Sequence, residues 1–408
     1  MSPVVEPARK PLRVLQVFDT LYAGGAEMSL LEVIPDLAGL GVQTTVLTLR
    51  PDDGALDGRL AALGVPRDRL RRGDPVRAAR ELGRVLRAER PDVVHTTLLY
   101  AGLAGRVAGR RAGIPVVTTL ANQDYGPEHR ANSRYGAWAV RAAHAAEVAV
   151  APLTTRFHAV SADVAAVMGR RLRVRPDRIQ VVYRGRDPDR LGQPGPERRA
   201  RVRAALGVGA DVPVVLSVGR LDRQKNTEAT IGAFQRVRQR HPDAVLLIAG
   251  RPGNASAVVQ AAADGVNQAA GGGAGRAAGG GVPAVRLLGH RADVPDLMCA
   301  SDVLSFPSRW EGLGGTLVEA MALRLSIVAS GIPPVAEAIG EAGWPLVRPE
   351  DEQALADGLL SVLEGGPVNE ARKDAGQQRF DRWFTAAAAA RGMAGLYRDV
   401  LPDRDGPQ

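Results

Sequence analysis

Two doubly wound α/β domains are what this sequence predicts, and three observations predict them. Short β-rich runs alternate with helical runs, the mark of stacked βαβ units on parallel sheets. The alternation occurs in two series, separated by a polar, Gly- and Pro-containing stretch from Arg184 to Arg203 that reads as an interdomain linker. At 408 residues the chain is also too long for one ordinary core.

In the first series the expected strands are Arg13–Asp19, Gln43–Thr48, Asp92–Thr96, Pro115–Leu120, Phe157–Val160 and Ile179–Val182. Helical runs such as Ala26–Leu40 and Pro75–Glu89 lie between them. The second series offers Pro213–Val218, Ala244–Ala249, Ala284–Leu288, Asp302–Phe306, Ser326–Ala329 and Pro345–Val347. The stretch Ala137 to Leu153 reads as a buried helix feeding a strand. Ala269 to Gly281 is nearly all Gly and Ala, and is expected to be a flexible surface insertion.

Composition narrows the class. The apolar share of 45% is that of a water-soluble globular protein. The single cysteine, Cys299, excludes an intramolecular disulfide, and the cytoplasm is the simpler compartment. The N-terminus does not resemble a signal peptide, and no apolar run is long enough to span a bilayer. The net charge of +9 is mostly an arginine excess, concentrated at Arg67 to Arg90 and Arg170 to Arg178. Solvated helix faces and loops account for it most simply; attraction to an anionic membrane face or an acidic acceptor is the alternative. Nucleic acid is not expected, because no aromatic-interleaved basic motif accompanies the charge.

In open parallel sheets ligands bind beyond the carboxyl ends of the strands. Four such loops carry the unusual residues: Gly24-Gly25, Gly219-Arg220, Gly250-Arg251 and Trp310-Glu311. These loops are expected to meet in a cleft between the domains, as in an enzyme that joins two substrates. Gly24-Gly25-Ala26-Glu27 is a strand-to-helix turn whose helix N-terminus could face an anion, or simply a tight turn. Arg220 and Lys225 stand five residues apart past a strand, placed to hold a diphosphate or to be solvated loop charges. Thr316-Leu317-Val318-Glu319 fits a capping box, so Glu319 has a structural reading beside a ligand-binding one. Glu311 precedes the glycine turn and has no such capping role, which favours ligand contact. The six histidines show no metal-ligand spacing, and no protein-held metal is expected.

The motifs together resemble a retaining glycosyltransferase of the GT-B fold, of the fourth glycosyltransferase family (glycosyl transferases group 1). The residues that carry the resemblance are Gly24 to Glu27, Ser217 to Leu221 with Gln224-Lys225-Asn226, and Pro307 through Glu311 to Glu319-Ala320-Met321-Ala322. It implies two Rossmann-like domains facing across a cleft: residues 1–190 binding the acceptor, 191–376 the sugar nucleotide, and 377–408 a helix returning to the first domain. It further implies that Arg220 and Lys225 hold the donor diphosphate, that Leu313, Gly314, Gly315 and Thr316 offer backbone N–H groups, and that Gly25 belongs to the donor-binding set. Glu319 would bond ribose and Glu311 the transferred sugar. The partners implied are a UDP or GDP sugar and a glycan, lipid-linked or small-molecule acceptor, with no cofactor. A cytoplasmic enzyme of polysaccharide or glycolipid synthesis, peripheral at the inner membrane face, fits this picture. The chain departs from the family pattern at Ala121-Asn122, where relatives carry a histidine, and His95 and Asn122 are the nearby polar candidates on the acceptor side. It departs again at Tyr183 to Asp187 and at Arg324-Leu325-Ser326. A sugar-nucleotide 2-epimerase shares the fold, and an inactive sugar-nucleotide-binding protein is the third reading.

Overall fold

The computed structural model describes residues 10–22, 24–70, 75–133, 135–270, 272–273, 276–277 and 283–402. It divides into two compact units. The first comprises residues 1–187 and 385–408, the second 188–384.

The sheet of the first unit has seven strands: β1 (Leu12–Phe18), β2 (Val42–Thr48), β3 (Arg67–Arg69), β4 (Val93–Thr97), β5 (Val116–Leu120), β6 (Arg156–Ala159) and β7 (Ile179–Val181). Their order is β3-β2-β1-β4-β5-β6-β7, every pair parallel. Strands buried on both faces read as continuous apolar runs, which is why β1 and β4 are recognisable in sequence. The edge strand β3 is not, because it reads Arg-Asp-Arg. Ion pairs secure it: Arg67 reaches Asp52 and Asp57, and Arg69 bonds Asp57.

In the second unit β8 (Val214–Val218), β9 (Val245–Ala249), β12 (Val285–Gly289), β13 (Val303–Phe306), β14 (Ser326–Ser330) and β15 (Leu346–Val347) form a parallel sheet. Its order is β12-β9-β8-β13-β14-β15. A short antiparallel pair, β10 (Gly272–Gly273) with β11 (Arg276–Ala277), accounts for part of the Gly/Ala-rich stretch expected to be flexible. The remainder of that stretch, apart from its start at residues 269–270, lies outside the described residues.

Three expectations need correction. The chain passes between the units inside the stretch from Arg184 to Arg203, at 187/188, but that stretch is no solvated loop: it carries the helices Pro188–Leu191 and Pro196–Ala205. Arg186 and Arg203 are both buried. Arg186 Nη1 donates to Ser29 Oγ at 2.9 Å within the first unit, and Arg203 donates to Asp302 at 2.8 Å within the second. The return to the first unit falls at 384/385 rather than 376/377, since the helix Pro367–Trp383 stays with the second unit. The helix expected to be buried ahead of β6 is mostly not: within Ala137–Val150 only Val140 and Glu147 are buried, and Trp138 is 77% exposed.

The last helix, Ala386–Asp399, packs on the helix Gly25–Gly39 through Val33, Leu37, Ala390, Met393 and Tyr397. Gly185 makes its entry possible. A Cβ there would lie 2.5 Å from the Thr385 carbonyl and 2.7 Å from Ala386 Cα, so no side chain fits. The arginines of this chain are therefore not all solvated. Arg106, fully buried, pairs with Glu147 at 3.1 Å, and Glu147 also accepts from the Tyr125 hydroxyl at 2.8 Å.

Candidate active site

In the second unit β8 and β13 are neighbours, yet the chain leaves β8 toward β9 on one side and β13 toward β14 on the other. Such a switch point opens a crevice at the carboxyl ends of the two strands. Gly219 follows β8 with φ of 153°, and a Cβ there would press on the Lys225 side chain at 3.1–3.3 Å. A Cβ on Gly250 would collide with the Gly219 carbonyl. The turn closes through Asp222 N–H to Arg220 O at 2.7 Å and Lys225 N–H to Asp222 O at 2.8 Å.

Two backbone-directed bonds then stitch this loop to the one after β13. Arg309 N–H donates to Gln224 O, and Gln224 Nε2 donates to Trp310 O, both at 2.8 Å. Asn226, held left-handed at φ of 54°, donates through Nδ2 to Pro307 O at 3.2 Å and Pro349 O at 2.6 Å. The consequence is that Lys225 Nζ bonds Glu311 Oε1, 86 residues away in sequence. Nζ also lies 5.2 Å from the centre of the Phe306 ring. Glu311 is 6% exposed, and a carboxylate so buried is tolerated only with a cation beside it. This contact uses one of the three N–H donors of the ammonium.

Gly314 next turns the chain at φ 93° and ψ 72°, where a Cβ would lie 2.9 Å from Leu317 Cδ1. It is the residue before the helix Gly315–Ala322, whose first-turn N–H groups open at the site, while the Leu313 side chain is buried. The expected capping box does not form. Thr316 stands inside the helix rather than before it, and no side chain caps Gly314. Glu319 is consequently too far along to reach back, and instead pairs with Arg190 at 3.4 Å. Arg220, two-thirds exposed along its side chain, bridges to Asp222 at 3.1 Å rather than joining Lys225 and Glu311. Arg190 was missed in sequence because it sits in the stretch read as a linker.

The remaining predicted residues lie in the first unit. Gly25 opens the helix Gly25–Gly39, which has no side-chain cap bond at Gly24, and Arg184 Nη1 would lie 3.5 Å from a Cβ on Gly25. The buried Glu27 carboxylate folds back so that a Cβ on Gly24 would meet its Oε2 at 2.6 Å. His95, proposed on the acceptor side, is 3% exposed with both ring nitrogens engaged: Nδ1 with the Tyr397 hydroxyl and Nε2 with Thr119 Oγ1, each at 2.7 Å. Burial, and then His158 beside it, holds its pKa well below the ordinary histidine value. Gln16 donates to the Tyr397 hydroxyl at 2.8 Å, so that hydroxyl joins Gln16 to the His95 ring. His158, itself pushed down to about 4 by burial, completes the network through Thr119 and the Val182 carbonyl. His95 is thus a structural residue tying the last helix to the sheet. Asn122 bonds the N–H of Gln123 at 2.9 Å through Oδ1.

A large cleft of about 1140 Å³, not foreseen in the sequence, opens at the corresponding switch point of the first unit, between β1 and β4. Asp19 follows β1 there, and both its oxygens are bound by the start of the helix Leu99–Ala112: Oδ2 by Tyr100 N–H at 3.2 Å, Oδ1 by Ala101 N–H at 2.6 Å. Burial raises its pKa to about 6 against the pull of those N–H groups and of Arg50. An acid closing an expected strand was the available signal.

Comparison with known proteins agrees with this geometry. The model for Glycosyltransferase Family 4 matches residues 23–190, and that for Glycosyl transferases group 1 matches residues 212–365. This chain belongs to the group 1 glycosyltransferases. It is 28% identical over 336 residues to the alpha-maltose-1-phosphate synthase of Mycolicibacterium smegmatis, covering 78% of this chain and 82% of that protein. Over 406 residues it is 28% identical to a D-inositol 3-phosphate glycosyltransferase of Thermobispora bispora, covering 93% and 90%. An Escherichia coli UDP-Gal:alpha-D-GlcNAc-diphosphoundecaprenol alpha-1,3-galactosyltransferase is 28% identical over 255 residues, 62% of this chain and 60% of its own length. Among solved structures, Anabaena Alr3699/HepE in complex with UDP superposes with a TM-score of 0.79 at 20% identity, covering 95% of this chain and all (100%) of that one. WaaG, a glycosyltransferase involved in lipopolysaccharide biosynthesis, gives 0.70 at 18% identity, covering 94% and 99%. This glycosyltransferase therefore has the GT-B fold of two Rossmann-like domains and is a nucleotide-sugar transferase. The epimerase alternative finds no support among these relatives.

Proposed function

We propose that the chain moves a sugar, with retention of anomeric configuration, from a nucleoside-diphosphate sugar held by the second unit to a hydroxyl of an acceptor held by the first. The observation that carries this is the Lys225–Glu311 pair at the β8/β13 switch point, beside the glycine-opened helix Gly315–Ala322. A diphosphate leaving group needs positive charge where its negative charge develops. Lys225 supplies a compact cation with donors beyond the one on Glu311, and Arg220 a planar fork one turn away. The N–H groups of Gly315 and Thr316 face the same anion as a helix start. Glu311, fixed by Lys225, accepts from hydroxyls of the transferred sugar, and Glu319, held by Arg190, accepts from those of the ribose. Departure of the diphosphate and attack by the acceptor on the same face retain configuration without a covalent intermediate on the protein. No protein-held metal enters this reading; among the described residues no group of three or more His, Cys, Asp or Glu is placed to hold one.

Uridine is the first nucleoside to test, since HepE binds UDP and the galactosyltransferase is named for UDP-Gal. A thermal-shift panel of nucleoside diphosphates and their sugars should raise the melting point by about 2.7 kcal/mol worth of stabilisation at a hundredfold excess over Kd. NMR of the product should show the donor's anomeric configuration. A flat panel, or an inverted product, overturns the reading. The location proposed is the cytoplasmic face of the membrane, supported by the arginine excess. Among the described residues no helix is long and apolar enough to cross a membrane. Co-sedimentation with anionic vesicles that weakens with salt tests the peripheral contact; none at low salt overturns it.

A further inference from the structure

The cleft of the first unit carries acidic and aromatic side chains at a helix start. Its described walls carry two carboxylates, Asp19 and Asp124, against one guanidinium, Arg50. Arg50 lies over the face of Tyr100, 3.8 Å from the ring centre, and His129 is 3.6 Å from Asp124. The helix start that opens into the cleft, an attractive place for a phosphate, is already neutralised by Asp19. The helix start after β1 carries Glu27, with the Arg184 guanidinium beside Gly25. Each oxygen of Asp19 accepts one N–H bond and keeps a second lone pair for a hydroxyl. Around it stand Tyr22 and Tyr135, each about half exposed (46% and 53%), the kind of surface against which sugar rings pack.

Backbone strain points to the same place. Six described residues other than glycine have positive φ. Arg90, Arg173 and Arg324 end helices. The other three are Asn226 at the donor loop and Leu98 (φ 80°) and Tyr125 (φ 68°) on this cleft. Residues held in such conformations cluster at ligand sites. Tyr125 is braced from behind, its hydroxyl on Glu147 and Glu147 on the buried Arg106.

We propose that this cleft binds a neutral, polyhydroxylated acceptor end, free of phosphate, with Asp19 accepting hydrogen bonds from its hydroxyls. The proposal rests on the glycosyl-transfer reading above, and deepens it by naming the acceptor class. An anionic acceptor would meet Asp19 already bound to the N–H groups of Tyr100 and Ala101 at the helix start that opens into the cleft, while Asp124 is offset by His129 and Arg171.

The test uses the full chain and a donor found in the thermal-shift panel. Matched acceptors are compared: a hexose against its 6-phosphate, an inositol against its 3-phosphate, and an alkyl glycoside to separate lipid-borne from free sugars. The expected result is a kcat/KM at least about tenfold higher for the neutral member of each pair. Asp19→Asn should narrow that preference about tenfold or more, because it removes the charge that repels phosphate while losing charge-assisted bonds to hydroxyls. A merely structural role would lower both members equally and leave the ratio unchanged, which overturns the assignment of Asp19. A preference for phosphorylated acceptors overturns the acceptor class. Absence of both transfer and donor hydrolysis with every donor instead overturns glycosyl transfer itself.

Discussion

Replacing Lys225 by methionine keeps the length of the side chain and removes its charge. Two losses follow, and they are separable. The Glu311 side chain is 8% exposed and that of Lys225 23% exposed, so the pair lies between a buried and a surface ion pair. Breaking a fully buried pair costs about 3–5 kcal/mol and an exposed one about 0–1, which places this loss near 2 kcal/mol. For a unit of this size that is a fall in Tm of about 4–8 °C. Adding Glu311→Gln removes the stranded charge, so the double variant should regain about 1–2 kcal/mol relative to the sum of the singles. Turnover should not follow. The contact of Lys225 with the diphosphate, worth about 1.5–3 kcal/mol, is absent in both, and kcat/KM should fall roughly ten- to hundredfold in each. Calorimetry gives the first quantity and release of nucleoside diphosphate the second. Near-normal turnover in Lys225→Met refutes the catalytic argument, and strictly additive stabilities refute the pairing.

Two further outcomes follow from the first unit. Tyr397→Phe strips partners from Gln16 and His95 inside the sheet, at about 1–3 kcal/mol, so thermal unfolding should shift down by about 2–10 °C; an unchanged Tm would show that the network holds nothing. Asp19→Asn should alter the pH dependence of stability. The folded pKa of Asp19 is about 6 against an ordinary 3.8, so between those values the folded chain holds a proton that the unfolded chain releases. Its favourable contribution is present below about pH 4 and is lost as pH rises through 6. Two pKa units correspond to about 3 kcal/mol, reduced to about 1–2 because the residue is partly exposed. Relative to the parent, the asparagine variant should therefore gain stability from about pH 4.5 to pH 7, read as urea midpoints. His158, depressed to about 4, acts in the opposite sense but equally in both proteins. A difference that does not change with pH contradicts the raised pKa.

Most of the fold was legible because the strands are buried on both faces. Every expected strand appears within about a residue or two of its expected bounds. β3 escaped because ion pairs, not apolar burial, hold it at the sheet edge. Glu311 and Lys225 were legible from their loops. The Glu319 capping box was a plausible local pattern that lost to geometry: with Gly314 taking the left-handed turn, the helix begins two residues too early for Thr316 to cap it. His95 was chosen for its chemistry and position in a strand, and sequence carries no sign that Tyr397, 302 residues later, occupies its ring nitrogen.

Sequence by itself determined the two sheets, the loops at their carboxyl ends and the residue types there, since periodicity and turn chemistry are local properties. Tertiary structure decided strand order, and with it the two switch points, β1/β4 and β8/β13, where those loops become sites. It also decided charge. Whether a carboxylate is a cap, a partner or a ligand depends on which donor lies within about 3 Å, and those donors come from 82 residues away for Asp19 and 86 for Glu311.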